Sequence, residues 1–221
     1  MKIIARIHSD FKDKFGIPRQ SGIADSLVSR IVFEKPYRNP DALRGIEGYS
    51  HLWLIWNFSQ SERENWSPTV RPPRLGGNQR MGVFATRSPF RPNPIGLSSV
   101  KLLSVEHTEK YGVTLLVGGA DLLDGTPIYD IKPYLAYTDS HPDARGGFSD
   151  DVLNYRLPVI FPDILLERIE DSKRQPLRTL LENDPRPSYR DDSPHEYGMT
   201  FADYEIFFKV ENGILTVTKV L

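Results

Sequence analysis

Residues 65 to 100 form the part of the chain whose residue types and spacing favour a specific chemistry. This arginine stretch holds five arginines and no lysine, aspartate or glutamate, so its formal charge is +5. The arginines are Arg71, Arg74, Arg80, Arg87 and Arg91. A guanidinium group binds carboxylate or phosphate oxygens through paired hydrogen bonds and stacks on bases. The stretch therefore indicates a site for a polyanion, with pairing to acids elsewhere in the fold as the structural alternative.

Prolines and glycines alternate with these arginines in two strings, RPPRLGG (71–77) and TRSPFRPNPIG (86–96). A loop stiffened by proline loses less entropy when it positions a ligand. Glycine allows close backbone approach or a positive φ. We therefore expect two preorganised loops that present the arginines.

The composition of the whole chain narrows the function classes. Among 221 residues, 28 are basic and 29 acidic, so the net charge is −1 and the residues outside the arginine stretch carry −6. That balance argues against a broadly basic nucleic-acid binder. The chain has no cysteine, which excludes disulfides, thiolate metal ligands and a cysteine nucleophile, and is compatible with a reducing cytosol.

Targeting and cofactor motifs are also absent. The apolar run at 3–5 is too short for a signal peptide, and no run approaches the roughly 18 residues of a membrane span. We therefore expect a cytoplasmic protein with no membrane partner. The sequence lacks the glycine fingerprints of dinucleotide-binding and P-loop turns. The five histidines have no metal-ligand spacing, so no metal site is predicted.

The elements that must position the arginines are predicted to be mainly strands. Eighteen prolines and 16 glycines disfavour long helices before about residue 160. Apolar or alternating runs predict strands at 3–8, 27–33, 52–58, 82–86, 97–105 and 113–117. A short helix is predicted at 41–46. About six irregularly spaced strands favour a barrel or a sandwich.

The residue pattern changes from strand-like runs to helical spacing after a polar, turn-rich segment. We expect a first domain at 1–139, a linker at 140–151 and a small α+β domain at 152–221. Helical spacing predicts helices at 163–171 and 176–183, with Pro176 in the first turn of the second. Asn212-Gly213 between two β-rich runs predicts a terminal β-hairpin over 204–220.

The string GVFATRSPFRPNPIG (82–96) resembles the signature of the TsaA/TrmO-like family of S-adenosylmethionine-dependent tRNA methyltransferases. Further strings agree with that family in the same order: KFGIPRQSG (14–22), ALRGIEGYSHLWLI (42–55), TVRPPRLGG (69–77), DLLDGTPIYDIKPY (121–134) and DPRPSY (184–189). The sequence departs at His8-Ser9-Asp10, where the family commonly has Arg-Ser-Pro, and this leaves the role of His8 open.

The resemblance implies methyl transfer from S-adenosylmethionine to the exocyclic nitrogen of threonylcarbamoyl-adenosine, beside the anticodon of threonine tRNA. It also implies that the first domain is a β-barrel, unlike a Rossmann domain, that holds the cofactor. A small C-terminal domain and a homodimer are implied as well. The missing glycine fingerprint is consistent with such a barrel.

The resemblance also implies cofactor-binding residues, which are Pro18, Arg19, Gln20, Ser59, Gln60, Arg87, Leu97, Asp121, Leu122, Leu123 and Asp124. Residues 18–20 and Arg87 would bind the methionine part of the cofactor. Residues 59–60 and 121–124 would bind adenosine, with Leu97 as an apolar wall. Asp121, Asp124 or a tyrosine would face the sulfonium. By residue type alone, residues 124–127 are typical of a β-turn.

The predicted tRNA-binding residues are Arg71, Arg74, Arg91 and Asn93, with the arginines on phosphates or on the threonyl carboxylate. The predicted reaction is an in-line displacement for which positioning supplies about 7–11 kcal/mol. Asp124, Asp130 and Tyr134 are the candidate catalytic bases, and the sequence does not choose among them. Two other classes stay open: a non-catalytic module that binds RNA or a nucleotide, and a methyltransferase with a small-molecule acceptor.

Overall fold

A computed structural model describes residues 1–61, 64–75, 79–152, 155–186 and 195–221, with the backbone alone at residues 74, 151 and 152. The glycine pair at 76–77 and the end of the DPRPSY string, residues 187–189, therefore lie outside the described residues.

Strands dominate the described part of the chain, as the sequence predicts. In chain order they are β1 (Ala5–His8), β2 (Val28–Phe33), β3 (His51–Asn57), β4 (Thr69–Val70), β5 (Met81–Gly82), β6 (Ile95–Thr108), β7 (Gly112–Gly118), β8 (Pro127–Pro133), β9 (Val159–Ile160), β10 (Tyr197–Phe201), β11 (Tyr204–Glu211) and β12 (Ile214–Val220). The α-helices are α1 (Ala136–Asp139), α2 (Asp163–Leu166) and α3 (Asp171–Glu182). Short 3₁₀ helices cover Lys35–Tyr37, Pro40–Leu43, Ile46–Gly48, Pro73–Leu75, Val83–Ala85 and Gly147–Val152.

Six antiparallel strands close a ring in the order β1-β2-β7-β6-β3-β8. Strand β1 completes it, because Ala5 pairs with Phe33 of β2 on one side and with Ile128 of β8 on the other. Along β3 every second residue is buried, from Leu52 to Trp56. Because strand side chains alternate between two faces, these residues line the inside of the ring and fill its core.

Five of the six strands predicted in the first part of the chain are present as β1, β2, β3, β6 and β7. The strand predicted at 82–86 is wrong, since β5 ends at Gly82 and residues Val83–Ala85 form a 3₁₀ helix. In that turn Val83 is buried while Phe84 is exposed, and the Val83 N–H donates to the Pro68 carbonyl at 2.9 Å. The helix predicted at 41–46 is instead two 3₁₀ turns, separated at Gly45 with φ 86°.

A second sheet has the order β10-β11-β12-β9 and carries α2 and α3. The predicted hairpin is confirmed: β11 and β12 pair antiparallel around Asn212 and Gly213, whose φ angles are 51° and 74°. These positive values are the reason that an Asn-Gly pair suits the turn.

Helix α3 begins earlier than predicted. It starts at Asp171, so Pro176 lies inside the helix and not in its first turn. Proline removes one backbone hydrogen bond there, but Pro176 and its neighbour Leu177 are buried in the core, as are Leu180 and Leu181. Burial of this face offsets the lost bond. The helix predicted at 163–171 is limited to the single turn of α2, Asp163–Leu166.

The segment between β1 and β2 packs on the second sheet. Phe11, Ala24 and Leu27 belong to the same buried cluster as the side chains of β10, β11 and β12. A Cβ atom on Gly16 would lie 2.4 Å from Cε of Met199, and its φ of 94° favours glycine at this position. Residues from the start of the chain thus complete the core of its last part.

Candidate functional site

Strand β6 places one polar side chain inside the ring. Ser98 is 1% exposed. Its Oγ donates to Oδ1 of Asp121 at 2.6 Å and accepts from Nε1 of Trp56 at 3.0 Å. A hydroxyl can donate and accept at the same time, so Ser98 connects the ring core to a carboxylate on the loop between β7 and β8.

The carboxylate of Asp121 has an environment that disfavours its charge. Burial raises the pKa of Asp121 above the ordinary value for aspartate. The hydrogen bond from Ser98, the backbone N–H groups of Asp121 and Ser21, and the nearby positive charge of Arg87 act in the opposite direction without cancelling it. An additional cation beside this half-buried acid would therefore stabilise its ionised form.

Two loops distant in sequence meet at this carboxylate. The guanidinium of Arg87 donates a hydrogen bond to Oε1 of Gln20, and the Ser21 N–H lies beside Asp121. We call Gln20, Ser21, Arg87, Ser98 and Asp121 the Asp121 cluster. It combines an exposed cation, an exposed amide and a half-buried anion. That set suits a ligand carrying both a carboxylate and a positive charge.

Gly96 gives Trp56 the space that the cluster needs. The two residues are opposite each other in the β3–β6 register. A Cβ atom on Gly96 would lie 2.2 to 2.5 Å from three ring atoms of Trp56. The glycine of the RPNPIG string therefore allows the indole to lie against the strand and reach Ser98.

Arg91 stabilises the loop before β6, in which it lies. Nη1 of Arg91 donates to the carbonyl oxygens of Thr86 at 2.9 Å and Ser88 at 3.4 Å, which flank Arg87. Arg91, a predicted tRNA contact, therefore also shapes the loop that presents Arg87. The predicted contact Asn93 is exposed at the same loop, and its carbonyl accepts from the N–H of Ile95 at 2.7 Å.

The remaining predicted tRNA contacts lie on the β4–β5 hairpin. Arg71 directly follows β4 and is exposed. Arg74 lies in the 3₁₀ turn Pro73–Leu75, where only its backbone is described. The structure therefore places both on one hairpin, which precedes the loop of Arg91 and Asn93 along the chain.

Asp124, in the turn before β8, lies next to the residues that end and follow β1. Its Oδ1 accepts from the Ser9 N–H at 3.1 Å and lies 3.4 Å from Nδ1 of His8. The turn predicted at this position is present, with φ 76° at Gly125. His8, whose role the sequence leaves open, is thus a neighbour of Asp124.

Leu97, Asp130 and Tyr134 lie outside the ring. Since Ser98 points inward, Leu97 points outward, and it is 55% exposed. Leu97 and Asp130 are both opposite Ile55, so the three residues form one row across β6, β3 and β8. Asp130 pairs with Lys132 at 3.1 Å. Tyr134 packs on Trp53 with 5.4 Å between ring centroids.

The other predicted cofactor residues have mainly structural surroundings. Leu122 is buried in the ring core and Leu123 packs against the second core. Pro18 and Arg19 line a cavity of about 30 Å³, and Nη2 of Arg19 donates to the Arg186 carbonyl at 2.7 Å. Ser59 and Gln60 form an exposed turn after β3. A larger cavity of about 280 Å³, beside Arg44 and Lys132, contains none of the predicted residues.

The sequence interpretation missed Ser98, Ser21 and Trp56 as parts of the site. Ser98 could have been found, because a serine occupies an inward position between Gly96 and Val100 in an otherwise apolar strand face. Such a buried hydroxyl needs a partner. The involvement of Ser21 depends on its backbone N–H, which no residue pattern reveals.

Within the described ranges, no group of three or more histidine, aspartate or glutamate side chains is placed to hold a metal ion. Among the helices formed by those same residues, none is long and apolar enough to cross a membrane.

Two family models match the chain in sequence. The model described as the tRNA-methyltransferase O N-terminal domain matches residues 6–140, and the TrmO C-terminal domain model matches residues 154–221. The chain is also 43% identical over 220 residues to the tRNA (adenine(37)-N6)-methyltransferase of Escherichia coli K12, covering 95% of this chain and 92% of that protein.

Other comparisons agree. A protein of the same description from Eikenella corrodens is 48% identical over 177 residues, covering 78% of this chain and 97% of that protein. The crystal structure of TrmO from Pseudomonas aeruginosa superposes with a TM-score of 0.77 at 32% identity, covering 99% of this chain and 97% of the other. The similarity thus extends over sequence and fold together.

Proposed function

Because the chain belongs to the tRNA-methyltransferase O family, we propose that it methylates the N6 nitrogen of adenine 37 in tRNA, with S-adenosylmethionine as the methyl donor. The acceptor is threonylcarbamoyl-adenosine, beside the anticodon of threonine tRNA. The observation that carries this proposal is the match of both family models, which together span residues 6–140 and 154–221.

The Asp121 cluster is the proposed binding site for the charged part of the cofactor. S-adenosylmethionine supplies an activated methyl group on a sulfonium sulfur, and it also carries an ammonium and a carboxylate. The residues fit this group, because Arg87 offers an exposed guanidinium for the carboxylate. Asp121, whose charge burial disfavours, is stabilised by a nearby cation. Gln20 orients Arg87 through their hydrogen bond.

The remaining proposed cofactor residues support or extend this cluster. Pro18 and Arg19 fix the loop that carries Gln20, since Arg19 is tied to the Arg186 carbonyl. Leu122, Leu123 and Asp124 hold the loop of Asp121 through core packing and the Ser9 contact. Ser59, Gln60 and Leu97 are the proposed contacts of the adenosine part.

Catalysis requires a group that accepts the proton of the acceptor nitrogen. Asp124, Asp130 and Tyr134 are the three proposed candidates, and their separate locations let each be tested alone. Asp124 and Asp130 each face a positively charged or titratable neighbour, His8 at 3.4 Å and Lys132 at 3.1 Å. The test replaces Asp124 or Asp130 by Asn and Tyr134 by Phe. The variant of the true base lowers kcat and leaves the KM for tRNA and the KM for S-adenosylmethionine near wild type.

The arginine stretch is the proposed tRNA contact. Arg71, Arg74 and Asn93 contact the phosphate backbone, and Arg91 contacts a phosphate or the threonyl carboxylate. Since Arg91 also braces the carbonyls beside Arg87, Arg91→Ala weakens both tRNA methylation and cofactor binding. Arg71→Ala affects the tRNA alone, which makes the pair a matched comparison.

The proposed architecture assigns one task to each part. The ring within residues 1–139 acts as a β-barrel cofactor domain, 140–151 is the linker, and 152–221 is the small C-terminal domain. A homodimer is proposed, supported by the exposed Leu97 and Ile95 on the outer face of β6. The cytoplasm is the proposed compartment, because the substrate is tRNA.

The test supplies labelled S-adenosylmethionine with two tRNA pools, one carrying the threonylcarbamoyl group and one lacking it. The proposal expects label in the first pool only. Label in neither pool, while calorimetry still detects RNA binding, favours a non-catalytic module. Equal label in both pools refutes the proposed acceptor, and label on a small molecule alone indicates a different acceptor class.

A further inference from the structure

Two large aromatic side chains are exposed next to each other at the open end of the β4–β5 hairpin. Trp66 is 52% exposed and Phe84 is 73% exposed. Their ring centroids lie 6.1 Å apart, with 32° between the ring planes. Trp66 precedes β4 and Phe84 follows β5, so the strand pairing, which places Thr69 opposite Gly82, sets the two rings side by side.

Most other Phe and Trp side chains in the described residues are buried or half-buried, although Phe90 is 37% exposed. Trp56, on the inner face of β3, is almost fully buried. Phe84 follows Val83, which is 1% exposed and whose backbone N–H donates to the Pro68 carbonyl. Because Val83 occupies the buried position of this turn, Phe84 is directed toward solvent. Contiguous exposed apolar surface is characteristic of binding sites, whereas single exposed rings are normal on a protein surface.

The charge around the rings favours a polyanion. Arg71 directly follows β4 and Arg80 directly precedes β5, so both lie on the hairpin whose base carries the rings. Both are exposed, and neither forms an ion pair with any acid in the described ranges. Residues 65 to 100 contain no acidic side chain. Guanidinium groups on the same hairpin as exposed rings can follow a nucleic-acid backbone while its bases stack on the rings.

We propose that Trp66 and Phe84 form a stacking platform for an unpaired base of the tRNA, with Arg71 and Arg80 on the adjacent phosphates. This inference rests on the proposed function, since it presumes an RNA substrate. The base stacks on an outer ring face: with centroids 6.1 Å apart, the rings are too close to hold a base between them at about 3.4 Å from each. A second copy of the chain is disfavoured, because a two-fold contact here brings like-charged arginines together.

The platform explains how single-stranded RNA is chosen over duplex. Base pairs in a duplex hide the faces that a ring would cover, whereas the anticodon loop exposes them. Phosphate contacts from the arginines alone do not make this distinction. The rings therefore add selectivity for the loop that carries the methylated adenosine.

The test compares the double variant Trp66→Ala, Phe84→Ala with wild type on two probes, an anticodon stem-loop RNA and a blunt RNA duplex with the same number of phosphates. Stem-loop affinity is expected to fall roughly 5- to 150-fold, the usual effect of removing one base stack, while duplex affinity stays near wild type. The KM for tRNA rises and the KM for S-adenosylmethionine does not. Trp66→Tyr with Phe84→Tyr keeps the ring faces and restores affinity.

Control variants separate the possible outcomes. Tyr137→Ala removes another exposed ring outside the hairpin and leaves both affinities unchanged. If the double variant does not fold, Phe84→Leu removes only one exposed face and gives the same selective loss in smaller measure. Equal losses on stem-loop and duplex, or no loss on either, overturn the platform. So does a change in sedimentation with unchanged RNA affinity, which assigns the rings to a second copy.

The two proposals fail differently. If wild type binds the stem-loop through Trp66 but methylates no tRNA, the proposed activity fails and the platform stands. If wild type methylates tRNA and the double variant has the same KM for it, the activity stands and the platform fails.

Discussion

Gly96 offers a direct test of how the fold builds the site, through the substitution Gly96→Ala. The new Cβ would lie 2.2, 2.4 and 2.5 Å from Cε2, Cζ2 and Cδ2 of Trp56, far inside van der Waals contact. The neighbour is a rigid, buried ring and not the flexible end of a side chain, so the indole must move. Overpacking of this kind costs about 1–3 kcal/mol.

Moving the indole also disturbs its hydrogen bond. Nε1 of Trp56 donates to Oγ of Ser98 at 3.0 Å, and loss of such a bond costs about 0.5–1.5 kcal/mol. The expected loss in the free energy of unfolding is therefore about 1.5–4.5 kcal/mol. Because Ser98 orients Asp121, the variant also binds S-adenosylmethionine more weakly, even at temperatures where it remains folded.

Urea unfolding monitored by circular dichroism measures the stability change. Gly48→Ala is the matched control, since no atom lies within 4 Å of the Cβ it would add. Replacing Trp56 by Phe in the Gly96→Ala background removes the clashing part of the indole and recovers part of the loss, which appears as a coupling free energy in a double-mutant cycle. A Gly96→Ala protein with the wild-type urea midpoint refutes the close approach and the packing argument with it.

S-adenosylmethionine binds more tightly as the pH rises through the raised pKa of Asp121, because only the ionised carboxylate attracts a cation, and calorimetry on Asp121→Asn loses this dependence. Because burial disfavours the charged form in the folded state, the free protein loses stability as the pH rises from the ordinary pKa of aspartate to the raised pKa of Asp121. Asp184→Asn breaks the buried ion pair in which the Asp184 side chain is 13% exposed and the Arg186 side chain 10%. The free energy of unfolding falls by about 3 kcal/mol. Asp171→Asn, at the exposed pair with Arg174, leaves the melting curve unchanged. Leu97→Asp dissociates the proposed homodimer in sedimentation velocity; an unchanged sedimentation coefficient places any dimer contact elsewhere.

Much of the ring could be predicted because its strands repeat a pattern that burial imposes. The alternation along β3 and the apolar run of β7 follow from one face or both faces lying in the core. The β11–β12 hairpin was predictable for a local reason, since Asn212 and Gly213 tolerate positive φ. These features depend on residues close in sequence.

Other features depend on contacts that the sequence does not display. Strand β8 was not predicted, because prolines bound it and Asp130 and Lys132 interrupt its apolar pattern. A register irregularity near Ile55 and Trp56 sets which β8 residues face outward, so the location of Asp130 outside the ring follows from pairing. The sequence predicts Pro176 in the first turn of a helix, but burial of the α3 face lets the helix run through it.

The same distinction between local residue type and distant contacts applies to the candidate site. Arg87, Gln20 and Asp121 were expected at the cofactor and the structure brings them together. Leu97 is predicted as an apolar wall of the cofactor site and Asp130 as a candidate base, and strand alternation places both on the outer face of the ring. Residue type shows which chemistry a side chain can perform, while the strand face on which it lies determines whether it points into the ring or out of it.

The most direct test of the central claim is mass spectrometry of nucleosides from threonylcarbamoylated threonine tRNA incubated with the protein and S-adenosylmethionine. The account predicts that the threonylcarbamoyl-adenosine signal is replaced by a species heavier by one methylene group, with the added mass in the base fragment. Conversion fails when S-adenosylmethionine is omitted. An unchanged threonylcarbamoyl-adenosine signal, or added mass in the ribose fragment, contradicts N6 methylation by this chain.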